Sequence, residues 1–144
     1  MSVRVVIDTN VLVSGLLGLY SYPARIIDLL YTGRFTCIHD DRILMEYCEV
    51  LSRPKFAQAI SRSERVDLIN YLERFGDHVL TEPLGPLASA APDRFDLPFA
   101  EAAVAGVARY LITGNIAHFG FFAGNKWNIQ ILSPKDCYDL ICRR

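Results

Sequence analysis

The stretch VRVVIDTNVLVSG, residues 3–15, carries the pattern from which the fold follows. Within it Val3–Ile7 is β-branched apart from Arg4, the signature of a strand covered on both faces. Asp8 leaves the end of that strand with Thr9 and Asn10 behind it. Outward from there, strand-like and helix-like segments alternate. Pro23 stands where a first-turn proline belongs, and the pattern predicts a helix over Ala24–Tyr31 that stops near Gly33. Phe35–Ile38 reads as a second strand. Asp40 or Asp41 caps a helix running to about Leu51, before Pro54. Ser61 and Glu64 form a capping-box pattern for a helix reaching Phe75, and His78–Thr81 is a weakly patterned third strand. Glu82–Pro92, with Pro83, Gly85, Pro86 and Pro92, reads as a loop. An alanine-rich helix over Leu97–Ala108 follows, then a strand at Tyr110–Thr113 and a turn or short helix at Gly114–Phe119. A last strand at Gln130–Leu132 leads to a helix opened by Ser133-Pro-Lys-Asp136.

Parallel strands need crossovers and the crossovers here are helices, so the expected fold is a three-layer α/β/α sandwich around a central parallel sheet. The 144 residues suit a single domain spanning 1–144, with no internal repeat, low-complexity tract or linker. Hydrophobic residues make up 51% and charged residues 22%, which favours a well-buried core or an additional apolar interface, such as that of a homodimer. No apolar run approaches the roughly 18 residues that span a bilayer, and the chain enters its first strand without a basic region and apolar signal core. A cytoplasmic protein with no membrane partner is expected. Cys37, Cys48, Cys137 and Cys142 show neither a C-x-x-C pair nor zinc spacing, and read as thiols of a reducing compartment. His39, His78 and His118 lack metal-ligand spacing and read as structural or incidental. A net charge of −1 and a pI near 6.3 argue against a protein that grips nucleic acid by bulk electrostatics. Contact with a nucleic acid must be local or bridged by a cation.

In open parallel sheets ligands gather outside the carboxyl ends of the strands, where strand order reverses. Asp8 follows the first strand and Thr113, Gly114 and Asn115 follow the fourth, and these strands are expected to be neighbours across that switch point. Two further acids reach the same crevice from helices. At about 100° per residue, Glu46 borders the apolar face of Ile43, Leu44, Tyr47, Val50 and Leu51, whereas Glu49 points to water. Asp96 stands at the head of the alanine-rich helix, with Asp93 before it and Glu101 after it. Singly, each has a plainer reading: Asp8 in an Asx-turn, Asp96 as an N-cap, Glu46 as a solvated residue, Asp93 in a loop, Glu101 on a helix surface. Together, converging carboxylates repel one another unless a cation neutralises them. Hard ions such as Mg²⁺ or Mn²⁺ select oxygen ligands, polarise phosphodiesters and generate hydroxide near neutral pH.

The run VVIDTNVLVSGLL, Glu46 within ILMEYCEVLSRPKF, DRFDLPFAEAA, YLITGN-x-x-HF and IQILSPKDCYDLI, in that order from Val3 to Ile141, resembles the PIN domain. Within that superfamily the chain is similar to the toxin branch of toxin–antitoxin systems. The resemblance implies a metal-dependent endoribonuclease acting on single-stranded RNA and regulated by an antitoxin protein, in a family that often forms homodimers. It implies a Mg²⁺ or Mn²⁺ site of Asp8, Glu46 and Asp96, with Asp93 as an additional candidate. Thr9, Asn10 and Thr113 would orient ligands and water. Where many PIN domains have Thr-Gly-Asp this chain has Thr-Gly-Asn, so Asn115 offers an amide oxygen in place of a carboxylate. That weakens a second metal more than the first. Arg94 and Lys126 are candidates for RNA phosphates. The main alternative is a PIN domain that has lost turnover and serves as an RNA- or protein-binding module. A phosphoacceptor receiver fits poorly, because the third strand runs into Thr81-Glu82-Pro83, and an Asp-x-Asp phosphatase would need an acid at Asn10. The aromatic segment from Phe119 to Trp127 reads as core cover or a dimer contact, with base stacking as the alternative.

Overall fold

The computed structural model describes residues 2–143. Five strands, β1 (Val3–Ile7), β2 (Phe35–His39), β3 (Asp77–His78), β4 (Tyr110–Ile112) and β5 (Gln130–Leu132), form one sheet in the order β3-β2-β1-β4-β5. Every pairing is parallel, with Val5 opposite Cys37 on one side and Tyr110 on the other. Six α-helices, α1 (Thr9–Leu17), α2 (Tyr22–Tyr31), α3 (Asp41–Leu51), α4 (Arg62–Phe75), α5 (Leu97–Ala105) and α6 (Pro134–Cys142), cover both faces of the sheet. The expected α/β/α sandwich with a central parallel sheet is what the chain forms. Helix α5 lies across β1, β2 and β4, and α2 packs on β2 while meeting α1 and α6. Strand β1 is the middle of the molecule, with Val5, Val6 and Ile7 fully buried.

Local chemistry explains most boundaries. Ser21, Asp40, Ser61 and Ser133 each accept a hydrogen bond from a first-turn amide, and Ser61 and Glu64 complete both arms of a capping box. Helix α1 is the element that periodicity does not announce. It is mostly apolar, with Val11, Leu12 and Val13 buried, and only Asn10 and Ser14 mark its exposed side, a polar stripe too thin to announce a helix. Its Gly15 is required by close approach: a Cβ there would stand 2.9 Å from the Pro23 carbonyl oxygen, where α1 crosses the start of α2.

Three expectations are corrected. The third strand is Asp77–His78 rather than His78–Thr81; the Val79 amide still bonds the His39 carbonyl, after which the chain leaves the sheet toward Pro83. The alanine-rich helix ends at Ala105 because the Gly106 and Val107 amides close its last turn, and Val107 then adopts a left-handed φ of 52°. Glu101 is not a surface residue: it is 8% exposed and pairs with Arg42 at 2.8 Å. Arg42 also bonds Asp40 at 2.8 Å and the Thr81 hydroxyl at 2.9 Å, tying α3 to α5 and to the segment after β3. The aromatic segment closes the core: Phe119 and Phe122 are fully buried and Trp127 stacks on Phe122 with 5.8 Å between ring centres. No helix among the described residues is long and apolar enough to cross a membrane.

Candidate active site

Strand order reverses between β1 and β4, since the chain runs from β1 outward to β2 and β3 and then returns past β1 to β4. The crevice beyond their carboxyl ends receives Asp8 from β1 and Thr113–Asn115 from β4. The Asp8 amide continues the ladder by donating to the Ile112 carbonyl at 2.9 Å, which aligns the two strand ends. Asp8 sits at the N-cap of α1, yet its side chain makes no capping hydrogen bond. Its carboxylate instead accepts from the hydroxyl of fully buried Thr113 at 2.7 Å. That hydroxyl in turn accepts from the Asn115 amide at 3.0 Å. The relay leaves the rotamer of Asp8 little freedom. Asn10 clamps the same edge, its side-chain oxygen accepting from the Gly114 amide at 3.3 Å.

Helix α3 delivers Glu46, half-buried, to a hydrogen bond from the Thr9 hydroxyl at the first residue of α1. Tyr47, next to it, is buried and donates to the Ile7 carbonyl, which pins α3 to the end of β1. Glu49 points to solvent and pairs with Arg53.

A 3-10 turn at Arg94–Asp96 leads into α5. Asp93 caps that turn by accepting from the Phe95 amide at 2.9 Å, and is exposed. Asp96 is the N-cap of α5 but, like Asp8, makes no capping hydrogen bond. Its side chain is 13% exposed, and the buried Oδ2 has no hydrogen-bond partner. The group facing it is His118, with Nδ1 at 3.6 Å.

The electrostatics follow from this crowding. Burial pushes the Asp8 carboxyl up, against the pull of the Thr113 hydroxyl, the Thr9 amide and His118. Burial also raises Glu46, with Asp8, Glu49 and Asp93 adding repulsion against the Thr9 hydrogen bond. Asp96 is pushed up to about 6 by burial first, then by Asp8 and Asp93. Asp8, Glu46, Asp93 and Asp96 therefore act on one another's charge and form one electrostatic cluster. Among the described residues, no three acidic, histidine or cysteine side chains already stand in the tight cage of a preformed metal site.

Of the residues singled out from the sequence, Asp8, Thr9, Asn10, Glu46, Asp93, Asp96, Thr113 and Asn115 come to one crevice. Arg94 is exposed on the turn between Asp93 and Asp96, with its guanidinium 5.3 Å from the centre of the Phe95 ring. Lys126 stands elsewhere, over Trp127 and in a groove shared with Glu82 and Glu101. His118 is the residue that sequence spacing undervalued. The only signal for it was its place three residues beyond Asn115, in the turn that follows β4.

A family model described as PIN domain matches residues 4–117. None of the curated proteins compared with the chain matches it. Among solved structures, the chain is similar to PAE2754 from Pyrobaculum aerophilum, with a TM-score of 0.62 at 11% identity, over 99% of this chain and 91% of that one. That likeness concerns the fold.

Proposed function

Because the chain belongs to the PIN-domain family, whose members are in general nucleases, we propose that it is a metal-dependent endoribonuclease of single-stranded RNA and the toxin of a toxin–antitoxin pair. The observation that carries the reading is a pair of carboxylates at the switch point that do not cap their own helices. Asp8 and Asp96 both occupy N-cap positions, and neither spends its side chain on its helix. Asp96 moreover keeps a buried oxygen without a partner, an arrangement that is costly unless something else fills it.

The donor set is all oxygen, which suits Mg²⁺ or Mn²⁺. Asp8 and Asp96 would hold the ion, Glu46 would complete its shell directly or through water, and Asn115 would offer its amide oxygen. When bound, the ion supplies charge stabilisation on the phosphodiester and an acidified water. The chain's own residues do the rest. Thr113 holds Asp8 in place and the Thr9 hydroxyl holds Glu46, so the carboxylates meet the substrate in fixed orientations. The N-termini of α1 and α5 open on this edge of the sheet, and their helix dipoles favour the negative charge of a phosphate. His118, beside Asp96, is placed to carry a proton at Nδ1. Replacement of the fourth carboxylate by Asn115 removes one negative charge, which favours one firmly held ion over two.

The test is cleavage of single-stranded RNA with Mn²⁺ by the wild-type chain and by Asp8→Asn. Cleavage that disappears with the substitution supports the reading; cleavage at full rate in the variant refutes it. A second reading, an RNA- or protein-binding module without turnover, is favoured by Asn115 alone. Calorimetry separates the two, because a chain that takes up no Mn²⁺ at millimolar concentration belongs to the second. The antitoxin and homodimer partners stand as parts of the proposal.

A further inference from the structure

Beside the acidic crevice, α3 and the start of α5 enclose a cleft of about 690 Å³, and Glu46 and Asp93 belong to both. Its walls otherwise combine apolar side chains, among them Ile43, Met45, Phe95 and Phe99, with the charged Arg42, Glu49 and Arg53. Two of these stand far out of the core: Met45 is 72% exposed and Phe95 61%. In the chain Phe95 stands between two acids of the cluster, one residue from Asp96 and two from Asp93, whose carboxylate accepts from its amide. On the same 3-10 turn the Arg94 guanidinium stands over the Phe95 ring at 5.3 Å. One turn therefore presents an acid to the crevice, an exposed aromatic ring and a cation. A strand whose phosphate is held at Asp96 must pass this platform if it leaves on the α3 side.

We propose that the α3–α5 cleft is a nucleobase subsite, in which an unpaired base of the substrate strand next to the scissile phosphate stacks on Phe95 while Arg94 takes the neighbouring phosphate. The assignment rests on the ribonuclease reading above. Continuity fixes the occupant: the cleft shares two carboxylates with the site, so what enters it is attached to what the site holds. Charge points the same way, since Arg94, on the turn that carries Phe95 at the edge of the cleft, offers a cation next to acids that would repel a bare phosphate. A duplex cannot place a base there without unstacking it, so the subsite selects single strands. Contact with the flat face of a base is tolerant of base identity.

The experiment compares wild type, Phe95→Ala and Phe95→Trp on a fluorescent single-stranded RNA 12-mer and on versions with an abasic sugar at each position around the mapped cleavage point. Binding is read by anisotropy in Ca²⁺ and turnover in Mn²⁺. Because Phe95 is mostly exposed, thermal melting of the three proteins is expected to coincide. Loss of one stacked base costs roughly tenfold or more in affinity. Phe95→Ala is expected to raise KM and Kd by that factor on the intact strand and to change nothing on the strand abasic at one particular position. Phe95→Trp is expected to restore binding. Asp8-dependent cleavage with KM unaltered in Phe95→Ala, or a loss of equal size on every abasic strand, overturns the subsite while leaving the nuclease reading intact. Neither cleavage nor RNA binding by the wild type refutes the nuclease reading and the subsite with it.

Discussion

At the scale of single residues, the site depends on side chains that decline their ordinary local role. An aspartate at an N-cap normally accepts from the first-turn amides, yet Asp8 turns to Thr113 and Asp96 has no hydrogen bond to its helix. Thr113→Val keeps the volume and removes the hydroxyl on which Asp8 rests. It is expected to lower Mn²⁺-dependent turnover by about 10- to 100-fold while leaving the far-UV spectrum unchanged. Asn115→Asp returns a fourth carboxylate to the crevice. Its Mn²⁺ affinity, measured by titration calorimetry at neutral pH, is expected to exceed that of the wild type; an equal or weaker affinity would place Asn115 outside the coordination shell.

At the scale of elements, α3 and α5 bring their acids to β1 through contacts that have nothing to do with acid chemistry. Tyr47 anchors α3 on the Ile7 carbonyl, and Arg42 joins α3 to buried Glu101 on α5. Arg42→Ala strands Glu101 with its charge buried and unpaired. Chemical denaturation is expected to show a loss of about 2 kcal/mol, less than for a fully buried pair because Arg42 is half exposed. The crossing of α1 on α2 offers a second check. Gly15→Ala sets a methyl group against the Pro23 carbonyl and Ile27, and the expected cost by the same measurement is roughly 1–3 kcal/mol. That loss would appear despite the better helix propensity of alanine.

At the scale of the whole molecule, the acidic cluster sets how stability responds to pH and to cations. Asp96 titrates at about 6 in the folded chain against an ordinary 3.8. Between those values the folded state holds more protons than the unfolded one. The contribution of Asp96 to stability therefore falls as pH rises from about 4 to 6. A divalent cation binds the deprotonated form and stabilises the folded chain by mass action. Millimolar Mn²⁺ is accordingly expected to raise Tm at pH 7.5 and to leave it almost unmoved at pH 5, by differential scanning fluorimetry. Equal shifts at both pH values would separate Mn²⁺ binding from these carboxylates. Buried His39 works in the opposite sense. Burial lowers its pKa, so its contribution is full above about 6.5 and is lost as the pH falls. For that reason the diagnostic is the difference made by Mn²⁺ and not the Tm of the metal-free chain.

Much of this was written in one dimension. The buried run Val3–Ile7, the caps Ser61 and Ser133 and the alternation of elements are local properties, legible because β-branching, capping and periodicity act within a few residues. The same locality put Asp8 at a strand end and Asp96 at a helix head. What lay beyond local reading was partnership. Helix α1 was illegible because its exposed stripe is only Asn10, Ser14 and the apolar Leu17, too little polarity for a surface helix to declare itself. Glu101 looked like a solvated helix residue until Arg42, 59 positions away, supplied its counter-ion, and His118 acquired meaning only beside Asp96. The sequence by itself determined the parallel α/β sandwich and singled out the candidate acids, beginning with Asp8 in the stretch that opens at Val3. Tertiary structure alone decided which hydroxyl holds each acid, which oxygen is left without a partner and which cleft adjoins them. Those are contacts between groups far apart in the chain, made by packing and invisible to any window of neighbouring residues.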